Sequence, residues 1–151
     1  MMKKLIITFL TLFLIFPSIA YGQTTYTVQP GDSMWKISVR FQVGLSELIR
    51  ANPQITNPAL IYPNQKLTIP QISEKNVEAQ VVQLVNQERA KAGLKPLTHN
   101  WELSRVARYK SMDMRDHGYF SHNSPTYGSP FTMINNFGIR FRAAGENIAQ
   151  G

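Results

Sequence analysis

Apolar and polar positions change period along the chain, and the changes divide it. Between Tyr26 and Pro70 the pattern opens with alternation at Tyr26 and Val28, broken at Pro30-Gly31-Asp32. Met34, Ile37, Ser38 and Phe41 then recur at helical spacing, with Asp32 or Ser33 placed to cap them. Leu45, Leu48 and Ile49 form a second helical set, capped by Ser46 or by the turn at Gly44. Asn52-Pro53 stops that helix, because a residue before proline avoids the helical region. Alternation returns at Leu67 and Ile69 and ends at Pro70. The order is strand, helix, helix, strand. A unit this small needs nearly all its apolar side chains to fold, so Trp35, Ile37 and Leu48 are expected in its core.

Residues 71–76 are polar and too short for a long tether, which makes them a linker. Beyond it, Val77, Val81, Leu84, Val85 and Glu88 lie along one face of a helix that Gly93 and Pro96 bring to an end. A second helix starts at the Asn100 cap, lines Leu103, Val106, Ala107, Ser111 and Met114 on one face, and stops at His117-Gly118. Arg105, Arg108, Lys110 and Arg115 are expected on its solvated face. A turn-rich loop, Tyr119 to Pro125, leads to a short helix through Phe131, Met133, Ile134 and Phe137, closed by Gly138.

The first residues change the picture of where the protein works. Lys3 and Lys4 precede an apolar run from Leu5 to Phe16, Pro17 breaks it, and Ala20-Tyr21-Gly22 offers small residues for cleavage. Residues 1–22 are predicted to be a signal peptide cut after Gly22, with no membrane attachment after cleavage. The run is shorter than the roughly 20 apolar residues of a membrane span. Lys+Arg number 16 against 9 Asp+Glu, a net of +7. Loss of Lys3 and Lys4 leaves 14 against 9, or +5, which suits an anionic cell wall. No dense basic run points to nucleic acid. With 0 Cys there is no disulfide framework.

Tyr26-Thr27-Val28, Pro30-Gly31-Asp32-Ser33-Met34-Trp35-Lys36-Ile37-Ser38, Leu48, Asn52-Pro53 and Ile61-Tyr62-Pro63-Asn64-Gln65-Lys66-Leu67-Thr68-Ile69-Pro70 together resemble the LysM domain, over residues 25–70. The resemblance implies a small βααβ module that binds glycans built on N-acetylglucosamine, in peptidoglycan or chitin. Asn64 stands where that family often has glycine; asparagine tolerates the left-handed conformation, so the turn should survive. The expected glycan-contacting residues lie in two loops: Gly31, Asp32, Ser33 and Met34 in the first, Asn57, Ala59, Leu60, Ile61 and Tyr62 in the second. Gly31 lets a ligand approach the backbone, and Leu60, Ile61 and Tyr62 offer apolar surface to sugar faces.

Leu84-Val85-Asn86-Gln87-Glu88-Arg89, Gly93-Leu94-Lys95-Pro96-Leu97, Asp113-Met114, Tyr119-Phe120-Ser121-His122 and Gly145-Glu146-Asn147-Ile148-Ala149 resemble the CAP superfamily of cysteine-rich secretory, antigen 5 and pathogenesis-related proteins, in a bacterial, cysteine-free form. The resemblance covers residues 77–151 and implies the first part of an α-β-α sandwich, so the fold class expected for the whole chain is α+β. The family's cleft holds two His and two Glu, and some members bind a divalent metal there. His122 and Glu146 match one of each; the other two would lie beyond Gly151.

One His and one Glu cannot hold zinc tightly, since a catalytic zinc takes about three protein ligands. No cysteine is present and no serine sits in a nucleophile elbow. His117 and His99 are expected at the surface or in caps. The expectation is a binding protein rather than an enzyme, with no metal and no cofactor, anchored on peptidoglycan at the cell wall or a spore surface. The rival readings are an envelope hydrolase targeted by its LysM module and a fragment of a longer LysM–CAP protein.

Overall fold

The structure, a computed structural model, describes residues 24–150. The predicted signal peptide and Gly151 lie outside those residues. Two strands and five helices follow in the order β1 (Thr24–Thr27), α1 (Met34–Arg40), α2 (Leu45–Arg50), β2 (Lys66–Ile69), α3 (Lys75–Lys91), α4 (Trp101–His117) and α5 (Pro130–Asn136). The chain is therefore mixed α+β. No helix among the described residues is long and apolar enough to cross a membrane.

The first four elements make the βααβ unit that the apolar periods predict. β1 and β2 pair antiparallel, with Tyr26 opposite Leu67. Ser33 caps α1 by accepting from Lys36 N at 3.2 Å. At Gly44, which caps α2, the Glu47 carboxylate accepts the backbone N–H at 2.7 Å. Val28, Met34, Ile37, Val43, Leu48, Leu67 and Ile69 form the core, and Tyr26 and Phe41 meet edge to face against it. Asn64 adopts φ 72°, the left-handed turn its residue type allows.

Trp35 departs from its expected place. Ile37 and Leu48 are fully buried, but Trp35 is 62 % exposed. Met34 and Ile37 already fill the inward face of α1, and position 35 falls on the opposite side of a helix with 3.6 residues per turn.

Asn52 holds the module's two ends together. It is buried; its Nδ2 donates to Leu48 O and to Thr68 O, both at 2.8 Å, while its Oδ1 accepts from Thr68 N at 2.7 Å. One side chain thus closes α2 and fastens it to β2. These bonds satisfy polar groups that water does not reach.

In the second region α3 and α4 span 17 residues each and α5 spans 7. Asn100 and Ser129 cap α4 and α5, and Gly118 ends α4 in the left-handed conformation. The core is small: Val106, Met133 and Ile134, with Tyr109, Tyr127, Phe137 and Ile139 against it. The apolar face of α3 exists but is not buried: Val77, Val81, Leu84 and Val85 are all exposed. Among the described residues after β2 there is no strand, only an isolated bridge between Ser124 and Gly128.

The basic side chains of α4 correct the sequence expectation. Only Arg115 lies on a solvated face. Lys110 is buried, Arg108 bonds Glu78 of α3 at 2.8 Å, and Arg105 lies 3.6 Å from Glu47 of α2. The Arg105 guanidinium also sits over the Tyr109 and Phe137 rings, 5.6 and 5.3 Å from their centres. Gly44 leaves the space it needs, since a Cβ there would come within 2.5 Å of Arg105 Nε.

Replacing Asn52 by alanine should destabilise the module by roughly 2–3 kcal/mol, because buried backbone groups of Leu48 and Thr68 lose their partner. Chemical denaturation followed by circular dichroism checks this; an unchanged midpoint would contradict it.

Candidate functional site

Two regions carry the candidate chemistry. In the first module the backbone of Val28 joins two loops. Val28 N donates to Gln65 O and Val28 O accepts from Asn64 N, both at 2.9 Å. The first loop leaves the strand just after Val28, and the second returns to it through Asn64 and Gln65. The two predicted glycan loops therefore lie side by side at one end of the module.

Within the first loop, Gly31 has φ +83° with open space around it, so its backbone is accessible and a side chain there would be strained. Its carbonyl accepts from Lys36 Nζ at 2.8 Å. Asp32 and Met34 correct the sequence-based list of contacts. Met34 is only 3 % exposed and belongs to the core. The Asp32 carboxylate accepts from Tyr26 OH at 2.6 Å, Gln29 N at 2.9 Å and Arg40 Nη2 at 3.1 Å. The Tyr26 bond above all, then the Gln29 amide and Arg40, hold its carboxyl below the usual carboxylate range. These bonds make Asp32 a brace of the loop. Ser33 spends its hydroxyl on the helix cap.

In the second loop, Asn57 Oδ1 accepts from Ala59 N at 3.0 Å and Asn57 O accepts from Leu60 N. Gln65 Oε1 accepts from Tyr62 N at 2.7 Å. Ile61 packs on the core, whereas Leu60 and Tyr62 are 51 % and 55 % exposed. Two large apolar side chains are thus exposed on a hydrogen-bonded loop.

In the second region His122 Nδ1 lies 2.6 Å from Glu146 Oε2. His122 is more than half exposed and Glu146 largely covered, with side-chain exposures of 58 % and 20 %. Glu146 also lines an apolar recess of about 220 Å³ with Val106, Met133 and Ile134. His117 and His99 do not join the pair: His117 Nδ1 lies 3.0 Å from Asp113, and His99 Nε2 pairs with Ser104 Oγ.

What positions His122 went unread in the sequence. Buried Asp113 accepts from Ser124 Oγ and Thr126 Oγ1, both at 2.6 Å, and from Tyr119 OH. Buried Lys110 donates to His122 O at 2.7 Å and lies over the Tyr119 ring. The loop bearing His122 is thus pinned on both sides and through its own carbonyl. Burial acts to raise the Asp113 carboxyl, but hydrogen bonds from Ser124, Thr126 and Tyr119 outweigh it and hold the group at about 2. No spacing signal identifies this hub, because its donors are ordinary loop hydroxyls.

A divalent metal does not fit these residues. His122 and Glu146 supply two donors, already bonded to each other, and among the described residues no group of three or more His, Asp or Glu converges.

Asp113 generates two expectations. Asp113→Ala should cost roughly 3 kcal/mol in the second region, since three hydroxyls lose a charged acceptor. A carboxyl held below its unfolded value contributes stability above the unfolded pKa and loses it as pH falls through the folded one. Order in the 119–128 loop should therefore decline between about pH 4 and pH 2, which NMR of Tyr119 and His122 would register. Loss of order only above pH 5 would contradict it.

The family comparisons divide the chain in the same way. The LysM domain matches residues 26–70, and the cysteine-rich secretory protein family matches residues 82–151. The uncharacterized protein YkwD of Bacillus subtilis is 60 % identical over 74 residues, covering 49 % of this chain and 29 % of that protein. SpoIVD-associated factor A of the same organism is 42 % identical over 45 residues, covering 30 % and 12 %. A crystal structure of an extracellular protein containing a SCP domain from Bacillus anthracis matches at 34 % identity and a TM-score of 0.48, covering 58 % of this chain and 32 % of that one. The chain spans less than a third of each of these relatives.

Proposed function

We propose, from the match of residues 26–70 to the LysM domain and of residues 82–151 to the cysteine-rich secretory protein family, that the chain is an exported binding protein of the cell wall or spore surface. Its first module holds N-acetylglucosamine-containing glycan of peptidoglycan. The observation that carries this reading is the pairing of Val28 with Asn64 and Gln65, which joins the strand end that leads to the accessible Gly31 backbone with the end of the loop that exposes Leu60 and Tyr62. Backbone amides and carbonyls suit acetamido groups, and exposed apolar side chains suit the C–H faces of the sugar ring. The second module places His122 on a pinned loop and pairs it with Glu146, a hydrogen-bonding head suited to recognition. Among the described residues the pair offers two donors bonded to each other, which favours recognition over hydrolysis.

Sedimentation with purified peptidoglycan tests the glycan reading. The wild-type chain should co-sediment, and Tyr62→Ala should weaken binding by roughly 1 kcal/mol, a several-fold loss, without altering the circular dichroism spectrum. Binding that survives Tyr62→Ala and Leu60→Ala combined would place the glycan elsewhere. Calorimetric zinc titration should show no binding tighter than about micromolar that depends on His122, given the donor count; tight binding abolished by His122→Ala would revive a metal site.

A further inference from the structure

The stretch 71–76 that reads as a linker is largely tied down. Gln71 Nε2 donates to Thr24 Oγ1 at 2.6 Å, Ile72 packs on the core of the first module, and α3 begins at Lys75. Ser73 and Glu74 alone separate one folded unit from the next. Past that pivot the modules touch through charge. The turn between α1 and α2 presents the Phe41 carbonyl to Lys75 Nζ at 2.8 Å and the Glu47 carboxylate to Arg105 Nε at 3.6 Å. The second contact is an ion pair and not a hydrogen bond. Glu47 Oε2 already accepts from Gly44 N, and Arg105 Nε has no hydrogen-bond partner.

Glu47 acts on Lys75 as well. Burial lowers the Lys75 pKa, Arg108 adds to the effect, and Glu47 opposes it. One carboxylate thus faces two cations across the join. The seam beside it is not filled: a cavity of about 200 Å³ lies between Gln42 of the first module and Lys75, Glu78 and Arg108 of the second. Attraction between charges, unlike apolar burial, weakens as salt shortens the screening length, from about 30 Å at about 0.01 M to about 3 Å at about 1 M.

We propose that Glu47 is an ionic clasp between the modules, docking the α1–α2 turn on Lys75 and Arg105 in dilute salt and releasing it in concentrated salt, with Ser73 and Glu74 as the hinge. Docked, the two modules hold one orientation. Released, the second region pivots while the interior of each module is unchanged. The clasp goes beyond the glycan reading and does not depend on it.

Nuclear spin relaxation of backbone amides in the full chain reads the clasp, because docked modules share one rotational correlation time and released modules do not. Wild type should show a single correlation time at about 0.01 M salt and two shorter ones at about 1 M. Glu47→Gln keeps an acceptor for Gly44 N and removes the charge, so it should show two correlation times already in dilute salt. Gly44→Ala should do the same: its φ of −66° suits alanine, and the new Cβ would come within 2.5 Å of Arg105 Nε. Unchanged chemical shifts in β1 and β2 show that the first module is intact in each variant. Two correlation times for wild type in dilute salt, one for wild type in concentrated salt, or one for Glu47→Gln in dilute salt overturns the clasp. If Glu47→Gln does not fold, Gly44→Ala decides by the same criterion.

Discussion

A shortage of buried apolar surface governs this molecule. The first module closes on seven buried apolar residues and the second region on three. A module as small as the first buries a small share of its surface, so a few apolar contacts cannot by themselves fix a single arrangement. Each half adds a buried polar side chain whose bonding capacity is filled. Asn52 joins α2 to β2, and Asp113 gathers Tyr119, Ser124 and Thr126 onto α4. Such groups rigidify when fully satisfied and are costly when half satisfied, which makes each a single point of failure.

The same shortage explains which features were legible in the sequence. Element order follows from local signals: caps at Ser33 and Asn100, a left-handed Asn64, and the Gly118 stop. Local signals act within a turn or two, and periodicity assigns residues to faces. Neither says what lies opposite a face. Arg105, Arg108 and Lys110 fall at helical positions that look solvated, yet each meets a partner from another element: Glu47, Glu78 and the carbonyl of His122. Trp35 fails for the opposite reason. Its apolar character argues for the core, but its angular position on α1 points it away from Ile37.

The loop residues divide on similar grounds. Leu60 and Tyr62 keep their side chains free, because Asn57 and Gln65 hold the backbone around them. Asp32 and Met34 share the motif but serve the frame, one by gathering Tyr26, Gln29 and Arg40, the other by filling the core. A motif records residues needed at a place without separating those that touch a ligand from those that shape the loop.

The two halves also meet through side chains. Lys75 Nζ donates to Phe41 O at 2.8 Å, and Arg105 faces Glu47 from a seat over Tyr109 and Phe137. Burial disfavours the charge on Lys75, lowering its pKa. Arg105 Nε is buried without a hydrogen-bond partner, and ring faces are weaker substitutes for an oxygen acceptor. A join made of one lysine and one arginine, with few apolar contacts, holds far less firmly than either module's interior. The interior of each half sets its own loops, by Asn52 and Val28 in one and Asp113 and Lys110 in the other. Geometry at the two loops of the first module therefore rests on bonds within that module, and the pairing of His122 with Glu146 on bonds within the second region.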